Sequence, residues 1–272
     1  MRLTSHARRF PLLIATTAVT LSASGGIAAA DTIRPINFES PAYTVGNINA
    51  QRGWLKTGAF DANVASVADF ANAKRFGFGK QALRVSDAVT SGSFGDQTFS
   101  PGLGQPAGPS MPYFDANFMI GTTTATAQAD LHMSVSPDSG DGSRMSYLRF
   151  EDQANGVHVF FDDVTNAQVA TSTFNEKDIA TLDRAHAHLI SFSIQLKAGT
   201  APDKVKIYID GRLKVTGTTW RDYYRYDVEQ AGNGNKVPTI SKLLFRESGT
   251  ATVANNAKGF LIDQVSLRSR RW

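Results

Sequence analysis

The chain has 272 residues, 42% of them apolar and 19% charged, and it contains no cysteine. That excludes disulfides, thiolate metal sites and cysteine nucleophiles. The formal charge of +4 overstates the basicity of the folded part, because Arg2, Arg8 and Arg9 contribute +3 in an opening segment without a single acid. No basic stripe with interleaved aromatics remains, so nucleic acid is not an expected partner, and the cluster Arg268, Arg270 and Arg271 reads as a solvated tail.

The first element is a leader. Three arginines, an apolar run over 11–21 and small residues ending in Ala28-Ala29-Ala30 have the pattern of a cleavable secretory signal peptide. The run is too short and too interrupted to span a bilayer, which takes about 20 apolar residues. The expected organisation is a signal peptide over 1–30 and one folded domain over 31–272, secreted to the periplasm or the outside and monomeric.

From residue 31 onward short runs rich in Val, Ile, Phe, Tyr and Thr are separated by Gly, Asp, Asn and Pro, and helical periodicity is nearly absent. Trp54, after Gly53 in a turn-rich stretch, reads as a core plug. The proline-broken stretch 100–112 reads as a long irregular loop, because the same strand pattern continues on both sides of it. Strands are predicted over 114–120, 129–135, 145–151, 157–162, 186–196, 205–210, 213–216, 241–246 and 260–267. The stretch 186–196 alternates most cleanly, with His186, His188, Ile190, Phe192, Ile194 and Leu196 on one face. Asp210-Gly211 supplies a tight hairpin turn. Many short strands without interleaved helices predict an all-β fold, a two-sheet antiparallel sandwich or jelly roll.

Phe38-Glu39, the run Tyr43 to Trp54 with Gly46, Asn47, Asn49 and Gln51, Ile207 to Gly211 (IYIDG), Thr219-Trp220 with Asp222 to Arg225, Leu244 to Arg246, and Gly259 to Leu267 together resemble secreted bacterial proteins with a concanavalin A-like or laminin-G-like jelly roll. The resemblance spans most of the chain after the leader. It implies a fold that serves lectin-like modules, glycoside hydrolases and polysaccharide lyases alike, so it does not choose an activity.

The catalytic pattern of retaining glucanases with this fold, Glu-x-Asp-x-x-Glu on one strand, is missing. Glu151-Asp152 and Asp162-Asp163 are adjacent pairs that point to opposite faces of a strand. Arg149, Glu151, His158, Tyr223, Tyr224, Arg225 and Gln230 follow an order similar to alginate-lyase motifs, with a spacing that departs from them. In that reading Arg149 or Arg225 holds a uronate while His158 or Tyr224 moves protons. The stretch 219–226 is the densest in aromatics, and Trp220, Tyr223, Tyr224 and Arg225 form a candidate sugar platform, with Arg149, His158 and Arg246 as polar partners. The alternative is that Trp220 and one tyrosine anchor a crossover loop while the arginines pair with Asp222 and Asp227.

His186 and His188 lack a third ligand for zinc and read as satisfied residues at the core's edge. No other cofactor is marked, but calcium could be held by Asp138, Asp141, Asp162, Asp163 or Asp203 in the loops. No Gly-x-Ser-x-Gly elbow, Walker loop, dinucleotide fingerprint or His-Glu-x-x-His is present. The expectation is a secreted, non-catalytic module that binds a polysaccharide, glycan or other extracellular surface. A lyase acting on an acidic polysaccharide is the enzymatic alternative, and a structural envelope or matrix protein the third.

Overall fold

A computed structural model describes residues 30–91, 96–164, 169–248 and 250–272, so the predicted signal peptide lies outside the described residues except at Ala30. In chain order the strands are β1 (Ala30–Ile36), β2 (Gly46–Asn47), β3 (Leu55–Lys56), β4 (Ala62–Ser66), β5 (Gln81–Val85), β6 (Thr98–Phe99), β7 (Tyr113–Thr122) and β8 (His132–Asp138). They continue as β9 (Leu148–Gln153), β10 (Gly156–Val164), β11 (Phe174–Leu182), β12 (His188–Gln195), β13 (Lys204–Ile209) and β14 (Arg212–Gly217). A short helix α1 (Arg221–Tyr226) precedes β15 (Lys242–Ser248) and β16 (Phe260–Arg270).

These strands form an all-β sandwich of two antiparallel sheets packed face to face around one core. The nine-stranded sheet runs β14-β13-β12-β7-β16-β5-β4-β2 with β1 also on β16, and the seven-stranded sheet runs β11-β10-β9-β8-β15-β6-β3. Alternation turns one face of each sheet inward: Phe114, Ala116, Phe118 and Ile120 of β7 meet Met133 and Val135 of β8 and Leu148 and Phe150 of β9 in one continuous core. An aromatic chain joins the layers, from Phe38 to Trp54 (5.5 Å between ring centres), Phe245 (5.8 Å), Phe118 (5.9 Å), Phe150 (6.1 Å) and Phe260 (6.4 Å). Trp54 is fully buried, as the sequence predicts.

The turn at Asp210-Gly211 has positive φ at both residues, 51° and 74°, the conformation that suits a two-residue hairpin. The stretch 100–112 lacks regular strand yet runs beside β15, with Ser100, Leu103 and Ala107 donating backbone N–H groups to Leu243, Ser241 and Ile240. His188 lies in β12 with Asp210 at 2.8 Å, whereas His186 precedes the strand, is exposed and pairs with Asp183, so the two histidines do not share a strand face.

Polar side chains break the inward apolar pattern at Thr98 of β6, paired with Phe245, and at Glu247 of β15. Glu247 is paired in register with Met133 on the core side of β15, fully buried, with no hydrogen bond to either carboxylate oxygen. Burial pushes its pKa up to about 8 against the opposing influence of Lys56. Burial likewise raises Asp263 to about 7 and Asp87 to about 6.

Candidate functional site

The predicted residues Arg149 and His158 lie on the outward face of β9, β10 and β11. The β9–β10 hairpin turns through Ala154-Asn155 and resumes at Gly156, whose φ of +148° and 2.6 Å clearance from the Leu182 carbonyl oxygen leave no room for a Cβ. That turn fixes the register, and the register builds rows across the sheet. One row runs His132, Glu151, His158 and Thr181. The next runs Arg246, Ser134, Arg149, Phe160 and Asp178. A third sets Asp162 opposite Glu176.

The rows are tied together by charge. Arg149 donates to both oxygens of Glu176, from Nε at 2.9 Å and from a terminal nitrogen at 2.8 Å, and its other terminal nitrogen donates to Glu151. The guanidinium lies 4.1 Å above the centre of the Phe160 ring, so its planar faces and edges are both engaged. His158 contacts Asp178 through Nδ1 at 2.6 Å and Asn155 through Nε2 at 2.9 Å. Partial burial raises the Glu151 carboxyl, and the Arg149 hydrogen bond with the nearby His132 more than offsets it, leaving its pKa below the usual carboxylate range. Asp162 behaves oppositely: burial and the facing Glu176 push its pKa up to about 6.

Aromatic side chains border this network. Trp220 donates its indole N–H to the Asp162 carbonyl at 3.2 Å, stacks on Tyr147 at 5.7 Å and meets the edge of Phe174 at 4.7 Å. Phe174 is 41% exposed and also touches Tyr223 at 5.4 Å. Sequence reasoning did not find Phe174, Glu176 or Asp178, because β11 is a charged edge strand with little apolar alternation; their spacing of two was the available signal.

The predicted platform over 219–226 is divided by the fold. Trp220 and Tyr223 stand at the margin of the charged rows, with the Tyr223 hydroxyl donating to Glu229 at 3.1 Å. Tyr224 turns into the core, where burial raises its phenol pKa, and it does not join Arg149 and His158 on the open face. Arg225 points to the end of the sandwich and donates to the Gly199 carbonyl at 2.7 Å. Arg221 pairs with Asp203 at 2.8 Å and not with Asp222 or Asp227. Arg246 is buried beside Ser134 in the second row.

The candidate calcium ligands are distributed. Asp138 accepts from the backbone of Gly140 and Gly142, Asp141 from that of Ser143, Asp163 from Lys177 and Thr218, and Asp203 from Thr219, while Asp162 is in the rows described. Among the described residues no group of three or more His, Asp or Glu side chains is placed to hold a metal ion.

No protein-family model matches this chain, and no curated protein matches it in sequence. Among solved structures it is similar to a sialidase chain (TM-score 0.47, 10% identity), covering 87% of this chain and only 18% of that one. It is also similar to the endo-1,3-β-glucanase of Streptomyces sioyaensis (TM-score 0.47, 11% identity, 91% of this chain and 99% of that one). A third similarity is to sheep galectin-11 in complex with glycerol (TM-score 0.33, 7% identity, 57% of this chain and 90% of that one). Among the described residues no helix is long and apolar enough to cross a membrane.

Proposed function

We propose that this is an exported glycan-binding sandwich that takes a neutral saccharide on the open face of β9, β10 and β11. The observation that carries this reading is the saturation of Arg149. Its guanidinium is enclosed by Glu151, Glu176 and the Phe160 ring, so it has no free fork for a uronate. The same rows present the carboxylates of Asp162, Glu176 and Asp178, which accept hydrogen bonds from sugar hydroxyls and repel a polyanion. Phe174, 41% exposed and braced by Trp220, supplies an apolar ring at the edge, suited to the C–H face of a pyranose. The leader pattern over 1–30 supports export.

The test is a binding panel of neutral β-glucans, mannans and xylans beside alginate and pectate. We expect binding to a neutral polymer, weakened at least tenfold by Glu176→Gln or Phe174→Ala with the fold preserved in circular dichroism. Preferential capture of alginate or pectate, or full affinity in both variants, overturns the reading.

One observation favours hydrolysis as a second reading. Asp162 and Glu176 are cross-strand partners, which puts their Cβ atoms about 4.5–5.5 Å apart, and the pKa of about 6 at Asp162 would keep it protonated in mildly acidic medium. A protonated carboxyl beside an ionised one is the pair that glycoside hydrolysis uses. Release of reducing ends from the bound polymer, abolished by Asp162→Asn, would establish that reading; binding without release would refute it.

A further inference from the structure

A cavity of about 530 Å³ opens at one end of the sandwich, away from the charged rows. Its walls are apolar: Pro109 and Pro112 ahead of β7, the fully buried Met145 ahead of β9, Leu196 after β12, and Val237 and Pro238 ahead of β15. Four connections therefore meet at this end without closing it, and the volume suits a small organic molecule.

The polar residues around the cavity are mostly cationic. Arg221 and Arg225 stand one turn apart on α1, and Lys197 lies across from them. Arg221 is 5% exposed and held by Asp203 at 2.8 Å, with its Nε unpartnered. Arg225 donates to the Gly199 carbonyl, and among the described residues neither it nor Lys197 forms an ion pair with a carboxylate. Arg221 and Arg225 thus share Asp203, with the buried Asp222 also acting on Arg221, and Asp203 accepts in addition from Thr219 at 2.6 Å and from the Lys197 backbone at 2.6 Å. An apolar cavity beside net positive charge favours a ligand with an apolar body and one anionic head, because the head gains charge-assisted hydrogen bonds while the body leaves water.

We propose that this cavity is a second binding site, independent of the glycan face, for a small amphipathic carboxylate of medium chain length, its carboxylate on Arg225 and Lys197 and its chain against Met145, Leu196 and Val237.

The test is calorimetric titration of the full chain with decanoate and with decyltrimethylammonium, both below their micelle concentrations. Decanoate should bind with one-to-one stoichiometry and the cationic analogue at least tenfold more weakly. Arg225→Gln should weaken decanoate about tenfold, and Val237→Trp, which fills the cavity, should abolish its binding. Glycan capture should survive both changes, so a failure here does not touch the reading of the sheet face. Equal affinity for the two amphiphiles, no decanoate binding, or unchanged affinity in Arg225→Gln overturns the proposal; the last stands as a test even where Val237→Trp fails to fold.

Discussion

The two open sheet faces of this molecule obey the same alternation and yet prepare for different encounters. On the nine-stranded sheet, Ser191 and Ser193 of β12, Asn117 of β7 and Ser266 of β16 line a shallow trough of about 550 Å³, rimmed by Tyr208 and Arg268. The serines and Asn117 along it are short, with Asn117 donating to Ser266 at 3.4 Å, while Asp115 of its lining is held by Arg270 at 3.0 Å. On the seven-stranded sheet the side chains are long and hold one another: Arg149 between two glutamates, His158 between Asp178 and Asn155, Trp220 against Tyr147. The same alternation can therefore leave one outward face loosely tied and the other already knitted together. Side chains already fixed by mutual bonds lose little freedom when a ligand arrives, whereas a row of serines behaves as the wetted side of an ordinary antiparallel sheet.

Three substitutions test the difference between the two faces. The largest effect is expected from Trp220→Ala, which removes ring contacts with Tyr147 and Phe174 and the bond to the Asp162 carbonyl. It should cost about 2–4 kcal/mol in urea unfolding and abolish glycan capture. An intermediate effect follows from Arg149→Met, which leaves Glu151 and Glu176 without their shared partner. The pair is partly screened by solvent, so the expected loss is about 1 kcal/mol, with the Glu151 carboxyl titrating at a higher pH in NMR than in the parent protein. The smallest is expected on the other sheet: Ser191→Ala should shift stability by less than about 0.5 kcal/mol and leave capture intact. A Ser191→Ala variant that lost its ligand would move the site to the trough.

Much of the fold was legible because alternation is strong where one face is buried. Ile190, Phe192 and Ile194 in β12, and Val205, Ile207 and Ile209 in β13, are inward as their spacing predicts. Boundaries were missed where turns draw on the same residue types. The strand expected from 129 begins at His132, because Asp130 adopts φ of +57° and Leu131 donates to the Gln128 carbonyl. The strand expected from 145 begins at Leu148, since Met145 is still bonded to the Pro137 carbonyl. The site was legible only by halves. Arg149 and His158 were visible as candidate polar partners on neighbouring hairpin strands, but their partners Glu176 and Asp178 lie 27 and 20 residues away and meet them only through the β10–β11 register. Tyr224 shows the converse: its place in a run of aromatics says nothing of which way a short helix turns it.

Glu247 gives the molecule a pH response opposite to the common one. Its folded pKa of about 8 exceeds its ordinary value of 4.5, so its stabilising effect is complete below about pH 4.5 and declines as the pH rises to about 8. Glu247→Gln should flatten that part of the stability curve, read as a smaller difference between urea midpoints at pH 5 and pH 8. Asp263 and Asp87 are displaced in the same direction. Seen as a chemical equation, folding near neutrality therefore has hydrogen ions among its reactants. A population that unfolds in weakly buffered surroundings releases them, and the acid it releases favours the refolding of the chains that remain.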